Sequence, residues 1–399
     1  MLNKQGATAA TPTAEEMIAR ARALIPALAA RAQQGERERS IARETIAEMQ
    51  AAGLFRVLQP RRWGGYELDI HSYFEIEMAL AEGDMSVAWV YGVVGIHPWL
   101  IALLDDRAAR DIWGRDDSTL TCSSLMPVGV ATPAAGGYRL SGRWKYSSGC
   151  DHCDWAFLGG APPGGGMAEE RRIFLVPRRE YEIVDTWHVS GLKSTGSHDI
   201  VIEDAFVPAY RTMTFVDNFR GIAPGLAVNT APLYRLPFGQ VFFRGVSSGS
   251  IGALQGMLNA YIDYAKARIV RLSGRPASED ALIQLTCAEV ACAIDEMKTV
   301  LHRNFQNLEA YAARGEMPPL KLRMEYKFHN AWVAERCSLL AVRLFKATGS
   351  AGIFDDQPYG RILADINAAR THISNQFEAN GKSFGASLFG IEETKDMVL

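Results

Sequence analysis

Two kinds of chemistry compete within residues 144–160, WKYSSGCDHCDWAFLGG. Cys150 and Cys153 flank a histidine at the CxxC spacing of a redox pair or half a zinc site. A redox CxxC opens a helix behind a strand, where the helix dipole lowers the thiol pKa; here the flanking residues are those of strands. A structural zinc site needs four ligands, and Cys122, Cys287, Cys292 and Cys337 supply no second pair. The spacing is read as chance, and no metal is expected. Just upstream, Tyr146, Ser147 and Ser148 put adjacent hydroxyls at a strand end, and Gly149 lets another group come close. The plain alternative is a turn in which serine caps its own backbone. Ser123 and Ser124 before Pro127 form a similar unit one strand earlier.

His97 lies in an apolar stretch beside Pro98 and Trp99, and His372 lies in ARTHISNQ. A buried imidazole needs a partner. Both a base titrating near neutrality and a core histidine satisfied by a backbone carbonyl remain open for each. His71, His302 and His329 read as surface or packing residues, and His188 and His198 border strands without an assigned role. GGAPPGGG lacks the Lys-Ser/Thr of a phosphate loop and reads as a hairpin tip; no GxGxxG opens a helix and no GxSxG elbow occurs.

The elements that must hold these residues follow from length and periodicity. At 399 residues the chain predicts two or three domains. A net charge of −3 with no Lys/Arg block argues against a nucleic-acid or anionic-membrane surface. The longest apolar run, residues 87–104, is interrupted by His97 and Pro98 and followed by DDRAARD, so it reads as a buried helix. Six scattered cysteines and an N-terminus without a signal-peptide pattern lead us to expect reduced thiols in a cytoplasm.

Thr13 and Glu16 have capping-box spacing at the first helix, and helical patterns continue to a stop at Gly53, then over 73–81 and 86–104. Near Thr119 the pattern changes to short, turn-bounded runs such as TLTCSSLMP, GRWKYSSG, RIFLVPR and HDIVIEDAFVP, which predict an antiparallel sheet or barrel. After a connector over 211–240 the helical period returns. Ile283, Ala291, Ile294, Met297, Leu301, Phe305 and Leu308 share one face of a long helix, a second is closed by Gly349, and residues 358–385 make a last one. The expected division is a helical domain over 1–118, a β domain over 119–215 and a four-helix bundle over 216–399.

Helical domain, β domain and helical bundle in that order resemble the acyl-CoA dehydrogenase fold, an α+β architecture. Several segments are similar to one branch of it, the two-component flavin-dependent aromatic monooxygenases. They are LQPRRWGGYELD, GIHPWLIALLDDRAARDIWG, SSLMPVGVA, GRWKYSSGCDHCDWAFLGG, PRREYEIVDTWHVSGLKSTGS, GLAVNTAPLYRLPFG and a terminal DMV. The likeness runs from about residue 40 to the C-terminus and is strongest toward oxygenases acting on the phenolic ring of a 9,10-seco-steroid.

The resemblance implies an oxygenase component that takes reduced FAD, or reduced FMN, from a separate reductase. It implies reaction with O2 through a flavin 4a-hydroperoxide to hydroxylate a phenolic or related aromatic, an indole included. Ser148 matches the serine that bonds flavin N(5), with Ser147 beside it, and Ser123 matches a serine near flavin and substrate. His97 and His372 match the two active-site histidines. Thr195, Gly196 and Ser197 match a loop over the flavin with Trp187 as its aromatic neighbour, and Arg268 matches an arginine on the flavin phosphate. Leu125, Trp155 and Phe157 are the apolar neighbours expected to keep the pocket dry. The fold also implies a homotetramer with flavin sites between subunits. An acyl-CoA dehydrogenase needs a carboxylate base; in GRILADINAARTHIS, Asp365 follows Ala364 and His372 stands near that base's place. A catalytically idle flavin-binding scaffold is the remaining alternative.

Overall fold

The computed structural model describes residues 11–269 and 274–392; the terminal DMV motif, at 396–398, falls outside them. The chain begins with six helices: α1 (Ala14–Glu38), α2 (Arg43–Ala51), α3 (Ile70–Gly83), α4 (Met85–Val94), α5 (His97–Ile101) and α6 (Asp106–Trp113). Thr13 and Glu16 form the expected capping box, each side chain bonding the other's backbone N–H, at 3.2 and 2.9 Å. Gly53 sits at φ +78 just past α2, where a side-chain-bearing residue would be strained.

The predicted single helix over 86–104 is two. Pro98 has no N–H for the carbonyl of Val94, so α4 ends there and α5 starts afresh at His97. Both pieces are buried, as the unbroken apolar run requires.

Seven strands follow: β1 (Thr121–Ala134), β2 (Gly137–Ser147), β3 (Trp155–Ala161), β4 (Arg172–Pro177), β5 (Glu182–Val184), β6 (His198–Pro208) and β7 (Thr212–Thr214). They form one sheet in the order β5-β6-β2-β1-β3-β4-β7. The expectation of an antiparallel sheet holds except for β1 and β3, which are parallel. The chain turns back after β1 and again after β2, so β3, seated on the far side of β1, runs along it. The β2–β3 connection must therefore cross the first residues of β1, and that connection is the Ser148–Asp154 stretch. GGAPPGGG lies at the β3–β4 hairpin, as expected, away from this crossing.

The remaining helices are α7 (Phe215–Arg220), α8 (Phe238–Arg244), α9 (Ser248–Ala267), α10 (Ala281–Ala313), α11 (Leu320–Ala347), α12 (Pro358–Arg370) and α13 (Phe377–Leu388). Helices α9 to α12 pack on one another, and α9 also packs on α3. The buried face of α10 carries Val290, Ala293, Ile294, Met297, Leu301, Phe305 and Leu308; Ala291, assigned to it from the sequence, is exposed. A 3.6-residue period drifts off a strict heptad, which moves the stripe by one residue at this end.

Gly349, at φ +63, follows α11 as predicted. The expected last helix divides into α12 and α13 around Thr371–Gln376, because Asn375 directs its amide to the carbonyls of Ala369 and Val246, both at 2.9 Å.

Candidate active site

Ser148 stands where β2 leaves the sheet. The β2–β6 register shifts between Trp144 and Ser147, and Tyr146 occupies the left-handed region at φ +66, so the strand bulges and turns its last residues out of the ladder. Gly149, at φ +71, is glycine for space as well. A Cβ there would lie 2.8 Å from Val90 Cγ1, so the close approach foreseen for this glycine is made by α4. Its N–H donates to the Thr195 carbonyl at 2.8 Å, stitching the turn to the loop ahead of β6.

A line of buried hydroxyls results. Trp89 Nε1–H donates to Ser148 Oγ at 3.1 Å, Ser148 Oγ lies 2.7 Å from Ser197 Oγ, and Ser197 Oγ lies 2.6 Å from Thr195 Oγ1. Thr195 Oγ1 donates to the Leu192 carbonyl at 2.8 Å, which also receives the Trp187 indole N–H at 3.0 Å. The Leu192 N–H in turn donates to Asp365 Oδ1 on α12 at 2.6 Å. The structure thus brings Ser148, Thr195, Ser197 and Trp187 into one hydrogen-bonded group. Ser147 Oγ is buried beside them without a partner among the described residues.

His372 joins through Trp89, whose ring it meets edge-on with centroids 5.6 Å apart. It follows the last turn of α12, and its Nδ1 accepts the Ser374 N–H at 3.2 Å. A nitrogen that accepts carries no proton, so the neutral ring holds its proton on Nε2. The residue is half-buried, and the protein packed around its ring disfavours the charged form and pushes its pKa down to about 4.

His97 is protonated the other way round. Its Nδ1 lies 2.5 Å from the Thr121 carbonyl, an acceptor only, so Nδ1 bears the proton and Nε2 a lone pair. The ring is fully buried, with Phe157 and Phe242 at centroid distances of 5.5 and 6.0 Å. Burial pushes its pKa down to about 4, against the opposing bond to Thr121. Nε2 has no partner among the described residues. The sequence left a carbonyl-bound core histidine and a base titrating near neutrality open as alternatives; Nδ1 does the first, while Nε2 keeps its lone pair on a ring that burial makes titrate well below neutrality.

Ser123 pairs in register with Phe157 and stands two residues beyond Thr121, on the His97 side of the sheet. Of the expected apolar lining, Phe157 is fully buried, Leu125 is half-buried, and Trp155 lies under the Arg211 guanidinium at 5.0 Å.

Arg268 is not brought to this group. It closes α9, with its guanidinium 5.5 Å from the Tyr264 ring centroid. The 20-residue helix places it about 30 Å from the other end, which lies near the His372 loop. Sequence reasoning missed Trp89, which is eight residues, about two turns, ahead of His97; an indole inside an unbroken apolar run gives no sign that its N–H is in use.

The CxxC cysteines lack the setting of a redox pair. Cys150 and Cys153 are buried, Cys150 in a short 3-10 turn and Cys153 just after it, and burial drives both thiol pKa values up, away from reactive thiolate. Among the described residues no group of three His, Cys, Asp or Glu could hold a metal ion, and no helix is long and apolar enough to cross a membrane.

Residues 11–109 match the acyl-CoA dehydrogenase N-terminal domain and residues 245–377 the acyl-CoA dehydrogenase C-terminal domain. The chain is 34% identical to the flavin-dependent monooxygenase oxygenase subunit HsaA of Rhodococcus jostii over 94% of its own length and 99% of that protein. It is 32% identical to the oxygenase component of an FADH2-dependent resorcinol hydroxylase of a Rhizobium species, over 90% and 91% of the two chains. Its fold is that of the crystal structure of 3-HSA hydroxylase from Rhodococcus sp. RHA1, with a TM-score of 0.91 and 33% identity over 96% of this chain and 99% of the other. With the acyl-CoA dehydrogenase layout complete and relatives over nearly the whole length, the chain belongs to the flavin-dependent monooxygenase oxygenase subunits of the acyl-CoA dehydrogenase fold.

Proposed function

We propose that this oxygenase component hydroxylates a phenolic or related aromatic, indoles included, with His97 as the base that faces the substrate hydroxyl. The observation that carries the assignment is the Nε2 lone pair of His97, buried between Phe157 and Phe242 with Nδ1–H held on Thr121. A lone pair in an aromatic-walled space fits the O–H or N–H of a flat ring. By accepting that proton the imidazole makes the ring electron-rich, which electrophilic oxygen transfer needs.

The residues around Ser148 fit a flavin. The Ser147 hydroxyl, buried and without a partner among the described residues, and the Ser148 hydroxyl lie together at the strand end, and Trp187 is half-buried across from Tyr146, with ring centroids 6.1 Å apart. Bound reduced flavin supplies the electrons that activate dioxygen. Ser148, with Ser147 beside it, would hold the flavin at N(5), Ser123 would serve flavin and substrate, the loop of Thr195, Gly196 and Ser197 would line the ring system, and His372 would offer its Nε2–H as a donor. Phe157, Trp155 and Leu125 keep water out, so less oxygen is lost as peroxide. FAD is the flavin we assign, since a relative over nine-tenths of the chain is named FADH2-dependent. A cytoplasmic reductase supplies it by diffusion.

We place the unit boundaries near residues 118 and 215 and assign a homotetramer. Exposed Leu282 and Leu285 on α10 and Trp332, Leu339 and Val342 on α11 leave an apolar bundle face for another copy. Arg268, remote from its own Ser148, would then hold the phosphate of a flavin bound by a neighbouring copy.

The test is single turnover under 18O2 with chemically reduced FAD and a panel of phenols and indoles, read by mass spectrometry. One labelled oxygen in an aromatic product is expected. Reoxidation of FAD with no labelled product from any aromatic sinks the reading, and bleaching of bound oxidised FAD by an acyl-CoA would turn it into a dehydrogenase. Light scattering after gel filtration reads the assembly: a mass of one chain refutes the tetramer.

A further inference from the structure

The hydroxyls at Ser148 form a chain whose ends have fixed polarity. An indole N–H can only donate and a peptide carbonyl can only accept, whereas a hydroxyl has one proton and two lone pairs. Thr195 gives its proton to the Leu192 carbonyl, so it accepts from Ser197; Ser197 has then spent its proton and accepts from Ser148. Ser148 has now spent its own proton and also receives the Trp89 N–H. One lone pair is all that Ser148 has left to offer.

The acceptor end is held firmly. Leu192 sits at φ +54 with its N–H bonded to Asp365, and its carbonyl receives the Trp187 indole N–H as well as the Thr195 hydroxyl, so the acceptor is fixed in place from both sides of the residue. All the hydroxyls in the chain are buried, which keeps water from reversing it.

We infer that Ser197 and Thr195 are positioning residues that lock Ser148 as an acceptor toward the ligand, so that the site selects a flavin carrying a proton on N(5), the reduced form, over the oxidised form. The inference rests on the flavin reading above. In oxidised flavin N(5) has a lone pair only, and the two lone pairs would face one another. In reduced flavin the N(5)–H donates to Ser148. Thr195 sets the direction from two hydroxyls away, and Trp89 occupies the second lone pair of Ser148 and fixes its rotamer.

The experiment measures anaerobic dissociation constants for reduced and oxidised FAD, with the midpoint potential of the bound flavin. Thr195→Val keeps the shape and removes the last hydroxyl. Ser197 is then free to donate to Ser148, and Ser148 to donate to the oxidised N(5). The preference for reduced FAD should fall about tenfold, with a drop of about 30 mV in potential for this two-electron couple. Ser197→Ala should do the same, Thr195→Ser should restore the wild-type ratio, and Trp89→Phe should keep the ratio, because it leaves the acceptor end intact. An unchanged ratio and potential in Thr195→Val and Ser197→Ala would overturn the inference while the flavin reading stands. Failure of the wild-type protein to bind FAD or FMN in either oxidation state would overturn both.

Discussion

His97→Asn tests the site most sharply because the structure fixes what is lost and what is kept. The Asn amide can still donate to the Thr121 carbonyl in place of Nδ1–H, while the Nε2 lone pair between Phe157 and Phe242 disappears. Loss of a positioned general base costs about a hundredfold or more in rate. Single-turnover hydroxylation should fall by that factor, with FAD reoxidising to peroxide instead. The same residue sets a pH signature. Its pKa of about 4 in the native protein lies below the ordinary 6.5, so protonating it in place costs about 3 kcal/mol. Below pH 6.5 the unfolded chain takes up a proton that the native state refuses. Stability therefore falls from pH 6.5 toward about pH 4, at up to about 1.4 kcal/mol per pH unit. His97→Asn should remove that share of the acid loss, read by urea melts of both proteins at pH 7 and pH 5. An Asn variant that hydroxylates within about threefold of wild type would remove His97 from the chemistry. Equal acid losses in the two proteins would refute the buried, neutral ring.

Asp365 has its pKa pushed up to about 8 by burial, with Asp84 and Glu36 adding to the rise and the Leu192 N–H and Arg361 opposing it. The native carboxyl binds its proton more tightly than the unfolded one, so this residue withdraws stability as pH rises from about 4 to 8. Asp365→Asn keeps an acceptor for Leu192, so its Tm relative to wild type should be higher at pH 8.5 than at pH 5; the opposite order in a thermal melt refutes this. His71 and His302 meet Nδ1 to Nδ1 at 2.9 Å between Glu309 and Glu75, joining α3 to α10. Burial opposes the charge on His71, but the Glu309 bond and the nearby carboxylates win and raise its pKa. Its contribution is whole below pH 6.5 and lost as pH climbs through the raised value, so His71→Gln should cost more Tm at pH 6 than at pH 9. Cys153→Ala should leave the hydroxylation rate of the folded enzyme unchanged and cost about 1–2 kcal/mol in a urea melt; a collapse in rate at intact fold would reinstate the CxxC.

The element order was legible because the hydrophobic period changes near Thr119 and again after the connector, and because Thr13, Gly53 and Gly349 carry local backbone chemistry. What stayed hidden was non-local. The parallel β1–β3 pair depends on which side of β1 the third strand takes, which no alternation pattern encodes. The Leu192–Asp365 bond joins residues 173 apart, and the carboxyl drew notice only for standing away from a dehydrogenase's base. Trp89 was invisible for a related reason, since in a helix so largely buried an indole that makes a polar bond leaves no gap in the pattern. Ser147 and Ser148 were singled out as adjacent hydroxyls at a strand end and the Thr195–Ser197 loop through resemblance, and the geometry adds the direction of their bonds.

The two histidines show why the helix breaks matter to the chemistry. A histidine inside a continuous helix meets backbone groups already paired to each other. His97 stands at a start forced by Pro98 and can reach the Thr121 carbonyl on the sheet; His372 stands just past an end fixed by Asn375 and can reach the Ser374 N–H. One partner accepts and the other donates, so two neutral imidazoles of similar pKa hold opposite tautomers. An Nε2 lone pair and an Nε2–H are what a site needs to take a proton from a ring hydroxyl and offer one to oxygen without a charged histidine at rest. From the sequence the two residues were equivalent, and the backbone atom each one meets makes them different.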